Sequence, residues 1–410
     1  MNKLVDVRVV QKLALKISLA CICLVLLSQV IFAQNTYTTY SNLAYVNDGN
    51  VRHLLDLYVP NGATSSTPLI IWIHGGGWRN GDKSLGPNSH PLRYASRGYA
   101  VASLNYRLSD EAIFPAQIYD VKAAIRWLRA NATQYNLDVT RFGTWGQSAG
   151  GHLASLAGTS NDVVDMEGTV GGNLQYSSRV QATVDWYGPT DFLQMDVQAG
   201  QSGCIGSNMN SPDSAPSRLV GCAIQTCPQA VQRANPMTYV TMDDPPFFIE
   251  QGTVDCTVPL GQSQIFQNLW QSIGHDSALT FLQGAGHGGP LFIAESNLVL
   301  VDAFWDAKLR QPVNPLVNSI TIYRKSSDVG FFRAGSLGSL YRIAVSGINF
   351  QPDTKVLING VEKGVSFTNS GEVIVYGLVG RIPASGEMKI QVRNSNGRFS
   401  NVLRTEIRSE

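Results

Sequence analysis

The serine at position 148 lies in a pattern that can make its hydroxyl a covalent nucleophile. The stretch "RFGTWGQSAGGHL" places glycines two positions away on each side, at Gly146 and Gly150. Residues before Ser148 favour a buried strand and residues after it favour a helix, so the serine would occupy a sharp strand-to-helix turn. A chain with 39 glycines can also contain this match by chance, as a mere tight turn. A nucleophilic serine therefore also requires a base, an acid that orients the base, and donors for an oxyanion.

An aspartate and a histidine follow two later predicted strands. "PPFFIEQG" is followed by "TVDCTVP", which contains Asp255, and "ALTFLQ" is followed by "GAGHGG", which contains His287. Sites in open α/β sheets lie beyond the carboxyl ends of the strands, so Ser148, Asp255 and His287 are expected at one edge of the sheet. There, His287 would take the serine proton and pass it to the leaving group, and Asp255 would hold the imidazole tautomer.

Other histidines and aspartates compete for these roles. The five remaining histidines do not combine a position after a strand with the right place in the chain order: His53, His74, His90, His152 and His275. Asp185 and Asp191, in "VDWYGPTDF", also follow a predicted strand and could be structural or could line the site. Asp255 is favoured because it lies one strand before His287, which leaves room for one helix and one strand between them.

The segment "HGGGW", residues 74–78, supplies candidate oxyanion donors. It directly follows the apolar run "PLIIWI", and consecutive glycines let backbone N–H groups reach a substrate oxygen without a Cβ in the way. The predicted donors are Gly76, Gly77 and the amide of Ala149, and the alternative is an ordinary glycine-rich turn. Three further residues are candidate substrate contacts: Trp78, Gln147 and Tyr187.

Apolar runs alternate with helical patterns from about residue 42 to residue 307. In "FPAQIYDVKAAIRWLRANA", apolar residues recur at steps of three and four from Ile118 to Leu128, which is one face of a helix. Strands that alternate with helices predict an α/β fold, with a mostly parallel sheet covered by helices on both faces. This first domain is assigned to residues 34–310.

The pattern changes after Leu309. "RQPVNPLVNS" contains two prolines and predicts a linker, assigned to residues 311–316. Beyond it, residues 317–410 contain short strand-like runs separated by glycine, asparagine and proline turns. They predict a second domain, a small all-β sandwich of the immunoglobulin type.

Residues 1–33 are typical of a secretory signal peptide. Basic residues precede the apolar run "ISLACICLVLLSQVIFA", and Ala33 offers a small residue at a cleavage site before Gln34. An uncleaved membrane anchor is the alternative, and a lipoprotein site at Cys21 fits poorly because Ser18 stands where an aliphatic residue is expected. The mature protein is expected to be secreted or periplasmic, with no membrane contact after cleavage.

Four cysteines remain after the predicted cleavage: Cys204, Cys222, Cys227 and Cys256. An even number in an exported protein predicts two disulfides, for which three pairings exist. We expect Cys204–Cys222 and Cys227–Cys256, although the sequence does not decide among the pairings. A metal site is the alternative, but no histidines stand at ligand spacing near the cysteines.

Composition argues against one class of partner. The 410 residues carry a formal net charge of +1, with 44% hydrophobic and 15% charged residues. The sequence shows no face rich in lysine or arginine that could attract a polyanion, so nucleic acid binding is not expected.

The motifs together resemble those of a known family. "HGGGW", "NYRL", "FPAQIYDVKAAIRWLRANA", "GQSAGGHLA", "DWYGPTDF" and "DDPPFFIEQGTVDCTVP" are similar to segments of secreted bacterial esterases of the α/β-hydrolase superfamily. That family is related to the hormone-sensitive lipases, and the motifs most resemble those of its feruloyl and acetyl-xylan esterase-like branch. The resemblance covers roughly residues 40 to 308. It implies a carboxylic ester hydrolase using Ser148, Asp255 and His287 without metal or organic cofactor, and it departs at Gln251, where many relatives have histidine.

The tail around "YRIAVSGINFQPDTKVLINGV" resembles the immunoglobulin-like IPT/TIG domains of secreted bacterial proteins. Such a domain can bind glycans, hold another protein or act as a spacer. Its partner stays open, and a spacer is the default because no aromatic stacking platform can be named. In the first domain, Arg107 and Asp120 are expected to form an internal ion pair.

The leading hypothesis is an exported enzyme that deacylates short acyl or feruloyl esters, on plant polysaccharide or in small soluble molecules. Residues 196–235 are expected to form a partial cover over an otherwise open cleft. One alternative is a serine peptidase of the dipeptidyl type, which "HGGGW" argues against. The other is a non-catalytic binding protein on a hydrolase scaffold, which would be expected to lack one of the three site residues.

Overall fold

The computed structural model describes two parts of the chain with different architectures. The described residues are 36–63, 66–310, 316–324, 340–348, 354–363, 365–369, 372–378, 386–393 and 400–407. Up to residue 310 the chain forms a mixed sheet with helices, and the described residues from 316 onward form antiparallel strands. The predicted signal peptide, residues 1–33, and residues 311–315 of the predicted linker lie outside the described residues.

Eight strands form the sheet of the first part. They are β1 Tyr37–Ala44, β2 Leu54–Pro60, β3 Thr67–Ile73, β4 Ala100–Leu104, β5 Leu137–Gln147, β6 Ala182–Trp186, β7 Phe247–Gly252 and β8 Ser277–Leu282. Their order is β1-β2-β4-β3-β5-β6-β7-β8. The pairs β1–β2 and β2–β4 are antiparallel and all later pairs are parallel. The ends of β5, β7 and β8 therefore lie at one edge of the sheet.

Helices cover both faces of this sheet. They are α1 Ala116–Ala130, α2 Ala149–Thr159, α3 Val164–Glu167, α4 Met195–Gln201, α5 Ala215–Val220, α6 Pro228–Ala234, α7 Gly261–Ser272 and α8 Glu295–Leu309. Short 3₁₀ helices span Val51–His53, His90–Arg97, Phe192–Gln194, Ile224–Thr226 and Pro236–Tyr239. Alternate residues of β3 pack on opposite sides: Ile71 joins the core that contains α1 and α2, and Trp72 joins the core that contains α8. The predicted α/β class is confirmed.

Strand β1 is an element that the sequence pattern did not reveal. Its sequence, "YTTYSNLA", lacks an apolar alternation, and most of its residues are exposed. The strand pairs only with β2, at the edge of the sheet, so its side chains need not bury apolar area. By contrast, every residue of β3, β4, β6 and β7 is buried, and these strands are accordingly rich in apolar residues, although β6 and β7 also bury Asp185, Glu250 and Gln251.

The described C-terminal strands form two antiparallel sheets of four strands each. They are β9 Leu316–Arg324, β10 Leu340–Ile348, β11 Lys355–Ile358, β12 Val361–Lys363, β13 Val365–Asn369, β14 Glu372–Leu378, β15 Gly386–Arg393 and β16 Leu403–Ile407. The sheet orders are β13-β14-β10-β9 and β12-β11-β15-β16. One core contains residues of both sheets, among them Val345 and Val392. Leu316 already belongs to β9, so the second part begins at the last residue of the predicted linker.

The disulfides are Cys204–Cys256 and Cys222–Cys227. The expected pairing of Cys204 with Cys222 and Cys227 with Cys256 is therefore wrong. Cys256 follows β7 at the edge of the sheet, and the loop after α4 packs there, which brings Cys204 to a Cα–Cα distance of 5.4 Å. The other two cysteines close a local loop around a 3₁₀ turn. Sequence distance alone did not reveal which loop meets the end of β7.

The two parts are in backbone contact, because the N–H of Ser177 donates to the carbonyl of Asn318 at 3.0 Å. None of the helices in the described ranges has the length and hydrophobicity that crossing a membrane requires.

Candidate active site

Ser148 occupies a strained turn between β5 and α2. Its φ of 56° and ψ of −123° lie in a region that residues other than glycine rarely adopt. A Cβ at Gly146 would collide with the carbonyl of Gly150, and a Cβ at Gly150 would collide with the carbonyl of Ile73 in β3. Gly146 therefore lets the turn close on itself and Gly150 lets it press against β3, while the Ser148 side chain stays partly exposed.

His287 lies between Ser148 and Asp255. Its Nε2 is 2.8 Å from Oγ of Ser148, and its Nδ1 is 2.7 Å from Oδ2 of Asp255. The imidazole side chain is 24% exposed, whereas that of Asp255 is 0% exposed. These are hydrogen-bond distances for a nucleophile, a base and an orienting acid. The structure thus brings together the three residues that the sequence predicted, from beyond the ends of β5, β7 and β8.

Four donors surround the Asp255 carboxylate. Its Oδ1 accepts hydrogen bonds from the backbone N–H groups of Thr257 at 2.8 Å and Val258 at 2.9 Å. Its Oδ2, which faces His287, also accepts from Nε2 of Gln251 at 3.2 Å. The sequence predicts no site role for Gln251. Its position on the strand, four residues before Asp255, is the sequence feature that could have indicated this contact.

Burial separates three of the other histidines from acid–base chemistry near neutral pH. Desolvation lowers the pKa of His74, His90 and His152 to about 4, so these rings are neutral there. His53 contacts Asp48 instead, with Nδ1 2.8 Å from Oδ2. These four imidazoles are structural groups within the fold.

The other charged residues from the predicted motifs are structural as well. Asp185 is buried and accepts a 2.8 Å hydrogen bond from the N–H of Gly188, and burial raises its pKa to about 6. The side chain of Asp191 caps a 3₁₀ helix. Arg107 and Asp120 form the expected internal ion pair, with Nη2 and Oδ1 2.6 Å apart.

The glycine turn after β3 lies against the nucleophile elbow. A Cβ at Gly75 would lie 2.8 Å from a carbonyl oxygen of β5 and 3.3 Å from Cβ of Ser148. Gly76 and Gly77 continue the turn with φ of 108° and 60°. Ala149 is the first residue of α2, and N–H groups in the first turn of a helix have no acceptor within that helix. The predicted donors therefore belong to two backbone segments that meet at Ser148.

Two of the three predicted substrate contacts lie at the site. Tyr187 packs edge-on against the ring of His287, with centroids 4.8 Å apart, and its hydroxyl donates to Oε1 of Gln147 at 3.2 Å. Trp78 is 2% exposed, and its indole packs against His152 of α2 with ring centroids 5.1 Å apart. The structure does not bring the Trp78 side chain to the cleft, because the turn directs it into the apolar core.

A groove of about 750 Å³ opens beside the glycine turn. A Cβ at Gly77 would lie 3.3 Å from Cβ of Ala215, and the N–H of Ser109 donates to the carbonyl of Trp78 at 2.8 Å. Charged side chains of both signs line the groove, at Arg79, Asp110, Asp213 and Arg218, whereas the Ser217 hydroxyl is buried and donates to the carbonyl of Ser211. Residues of the predicted cover, 196–235, thus form one wall of this groove.

The arrangement has the chemistry of nucleophilic acyl transfer. An imidazole hydrogen-bonded to a serine hydroxyl can remove its proton as the oxygen attacks a carbonyl carbon. Backbone N–H groups and the N-terminus of α2 favour negative charge beside the serine. In the part of the chain that the structure describes, no group of three or more His, Cys, Asp or Glu residues could hold a metal ion.

Comparisons with known proteins identify the family. The model of a family described as BD-FAE matches residues 55–269, just over half of the chain. The chain is 30% identical over 228 residues to esterase LipC and 32% identical over 243 residues to the probable carboxylic ester hydrolase LipM, both of Mycobacterium tuberculosis. These matches cover 55% and 56% of this chain, and 54% and 51% of those proteins. The chain thus spans about half the length of the curated relatives it matches.

A solved structure extends the comparison to the fold. A truncated form of a carbohydrate esterase from gut microbiota is 34% identical, with a TM-score of 0.62, over 68% of this chain and 99% of that one. The family match includes Ser148 and Asp255 and ends before His287, so the histidine is placed by the fold. Sheet order, elbow and comparisons agree that this chain belongs to the BD-FAE family and has the α/β-hydrolase fold.

Proposed function

We propose that this protein is a serine carboxylic ester hydrolase that acts through Ser148, His287 and Asp255 and forms an acyl-enzyme. The observation that carries the proposal is the position of His287, 2.8 Å from Oγ of Ser148 and 2.7 Å from Oδ2 of Asp255. Esterase relatives and the carbohydrate esterase structure support the same class of reaction.

In the first half-reaction, Oγ of Ser148 attacks the ester carbonyl carbon while Nε2 of His287 accepts the hydroxyl proton. Negative charge develops on the carbonyl oxygen, where the N–H groups of the glycine turn and of Ala149 stabilise it. The Asp255 carboxylate stabilises the imidazolium through Nδ1. His287 then protonates the leaving alkoxide as the C–O bond breaks, and the acyl group stays on Ser148.

In the second half-reaction, a water molecule takes the place of the alcohol. His287 accepts a proton from this water as its oxygen attacks the acyl carbon, and the same N–H donors hold the second oxyanion. Collapse of this intermediate breaks the bond to Oγ, and His287 returns the proton to Ser148. The products are a carboxylic acid and the free enzyme.

The proposed substrates are short acyl or feruloyl esters, either on plant polysaccharide or in small soluble molecules. The groove beside the glycine turn supports a carbohydrate carrier, because the charged side chains that line it can donate to and accept from the hydroxyl groups of a sugar. The similar solved protein is itself a carbohydrate esterase, which supports the same class of carrier.

Initial rates test the proposal. The full mature chain would be assayed on p-nitrophenyl acetate, butyrate and octanoate, on methyl ferulate and on acetylated xylan, beside Ser148→Ala. We expect hydrolysis that the variant loses, and the ranking of substrates selects the acyl group and carrier. Equal inactivity of wild type and variant on every ester would contradict the proposal and favour the peptidase or binding-protein alternatives, which dipeptide amide substrates would then separate.

We also propose that residues 1–33 direct export and are removed before Gln34. The two disulfides support this compartment, since such bonds persist in oxidising environments. N-terminal sequencing of the protein recovered from the culture medium or periplasm should begin at Gln34. Recovery in the cytoplasm with residues 1–33 retained would contradict the proposal.

For the C-terminal sheets we propose an immunoglobulin-type spacer. Two antiparallel sheets that share one core support this assignment. If these sheets are a spacer, the full chain should bind polysaccharide only through its active site. Binding of the Ser148→Ala variant to insoluble xylan would measure this affinity. Strong retention that added ester substrate does not reduce would indicate a binding domain instead.

A further inference from the structure

Gln251 contacts the acid of the proposed triad from inside the fold. The residue is 0% exposed on β7, and its Nε2 lies 3.2 Å from Oδ2 of Asp255 and 3.0 Å from the carbonyl oxygen of Val258. Its Oε1 accepts a 2.9 Å hydrogen bond from the hydroxyl of Ser263 on α7. A continuous path of hydrogen bonds thus runs from Ser263 through Gln251, Asp255 and His287 to Ser148.

The surrounding groups fix the orientation of the Gln251 amide. Asp255 Oδ2 and the Val258 carbonyl oxygen both accept hydrogen bonds, so the NH₂ end must face them. The opposite orientation would place the amide oxygen against two acceptors in a buried setting. The Ser263 hydroxyl can donate, so it satisfies the remaining oxygen of the amide. The side chain therefore has one favourable arrangement.

We propose that Gln251 is a positioning residue of the hydrolytic site, whose amide, anchored by Ser263, holds Oδ2 of Asp255 toward Nδ1 of His287. This inference rests on the proposed function. Backbone N–H groups hold only Oδ1, and Oδ2 is the oxygen that must stay aligned with the imidazole while it takes up a proton. Gln251 supplies the second contact to that oxygen and so fixes the plane of the carboxylate.

The neighbouring charged and titratable groups do not replace this contact. Asp255 is faced by His287 after β8 and by Tyr187 after β6, whose pKa is raised by burial and by the charge of Asp255. Glu250 precedes Gln251 but projects to the other face of the sheet, where Asn297 of α8 donates to it at 3.2 Å. The helix that carries Ser263, α7, contains no charged residue.

A purely structural role makes a different prediction. Gln251 also bonds the carbonyl of Val258, so it closes the loop that carries the acid. If that were its whole role, its removal would lower thermal stability and leave the turnover of the folded protein unchanged. A positioning role lowers kcat in the folded protein with KM unchanged, because alignment of Asp255 matters during proton transfer and not during ester binding.

The test compares Gln251→Met, which keeps side-chain length and removes the donor, with Gln251→His, which restores an N–H donor. Gln262→Met is the matched control, since Gln262 is also 0% exposed and bonds Thr190 and Gln198 without touching the triad. We expect Gln251→Met to lower kcat on p-nitrophenyl acetate about tenfold to a hundredfold with KM unchanged, as expected for loss of a hydrogen bond to a carboxylate. Gln251→His should recover most of this loss, and Gln262→Met should lower only the melting temperature.

Two further variants keep the proposal falsifiable if Gln251→Met folds poorly. Ser263→Ala frees the amide without touching the acid and should lower kcat by a smaller factor. In an Asp255→Asn background, Gln251→Met should have no further effect on kcat. Wild-type kcat in folded Gln251→Met, or a full additional loss in the Asp255→Asn background, would overturn the proposal. Failure of the proposed function itself would look different, because Ser148→Ala would then retain the wild-type rate.

Discussion

The two halves of the site are held in place by different physical means. On the nucleophile side, the glycine turn after β3 and the elbow at Ser148 meet through backbone contacts that a Cβ at Gly75 or Gly150 would block. On the acid side, Asp255 lies in a loop held by side-chain hydrogen bonds and by the adjoining disulfide Cys204–Cys256. One half depends on the absence of side chains and the other depends on their presence.

The two halves should respond differently to substitution. Where two backbone segments lie in contact there is almost no room for an added side chain. Substitution of a glycine there should therefore displace the whole turn that carries Ser148. Several hydrogen bonds and a cross-link hold the acid loop, so loss of any single contact should weaken the site without displacing Asp255 completely. Removal of the acid itself is the exception, because the imidazole then loses its orienting partner.

The largest effect is expected for Asp255→Asn. An asparagine at this position donates or accepts without charge, so it no longer favours the imidazole tautomer and imidazolium that the reaction requires. We expect kcat on p-nitrophenyl acetate to fall about 10⁴-fold, with the fold retained. Steady-state kinetics beside circular dichroism check this, and a loss below about tenfold would remove Asp255 from the proposed role.

The next effect tests the backbone half. In Gly150→Ala the new Cβ would meet the carbonyl of Ile73, so the elbow must move away from β3. A displacement near 1 Å costs about a hundredfold in rate, which is the loss in kcat that we expect. Gly200→Ala is the matched control, because a Cβ at this helical glycine meets nothing within 4 Å. Equal kcat values for the two variants would contradict the claim that the nucleophile half depends on close backbone contacts.

The disulfides give a graded test of the acid half. Cys204–Cys256 spans 52 residues and adjoins Asp255, whereas Cys222–Cys227 spans 5 residues. Loop entropy predicts that serine replacement of both cysteines lowers the free energy of unfolding by about 4 kcal/mol for the first pair and about 2 kcal/mol for the second. Urea unfolding measures both values. Only loss of the first pair should also lower kcat, and the reverse ranking would contradict the account.

A smaller effect concerns Glu250 on β7. Burial raises its pKa to about 8 from a usual value of 4.5, so between these pH values the folded protein keeps a proton that the unfolded chain releases. The stability from this group is complete below pH 4.5 and is lost as the pH rises through 8. Glu250→Gln removes this dependence, so the melting temperature of the variant should rise relative to that of wild type between pH 5 and pH 8. An equal difference in melting temperature between the two proteins at pH 5 and pH 8 would contradict the assignment.

The sequence was most informative where local backbone geometry builds the site. A strand, a glycine-flanked serine and a helix occupy one short stretch, and the order Ser148, Asp255, His287 follows from the ends of parallel strands. These features predict that the three side chains lie together, as they do in the structure, because few conformations satisfy such a spacing. The same reasoning identified the amphipathic helix α1 and the change of architecture after Leu309.

The sequence was least informative where distant segments meet. The contact between Gln251 and Asp255, and the pairing of Cys204 with Cys256, depend on how α7 and the loop after α4 pack around the end of β7. The burial of Trp78 depends on turn dihedrals that a single sequence does not specify. Strand β1 lacked an apolar pattern because most of its residues are exposed at the edge of the sheet, where the strand pairs with β2.

The most direct test of the central claim is to locate the covalent adduct. The protein and its His287→Ala variant would be incubated with a p-nitrophenyl alkylphosphonate and analysed by peptide mass spectrometry. The account predicts one phosphonyl group per wild-type chain, on Ser148, with labelling that is far slower in His287→Ala. Labelling of a different residue, or labelling of Ser148 at the same rate in both proteins, would show that His287 does not activate this serine.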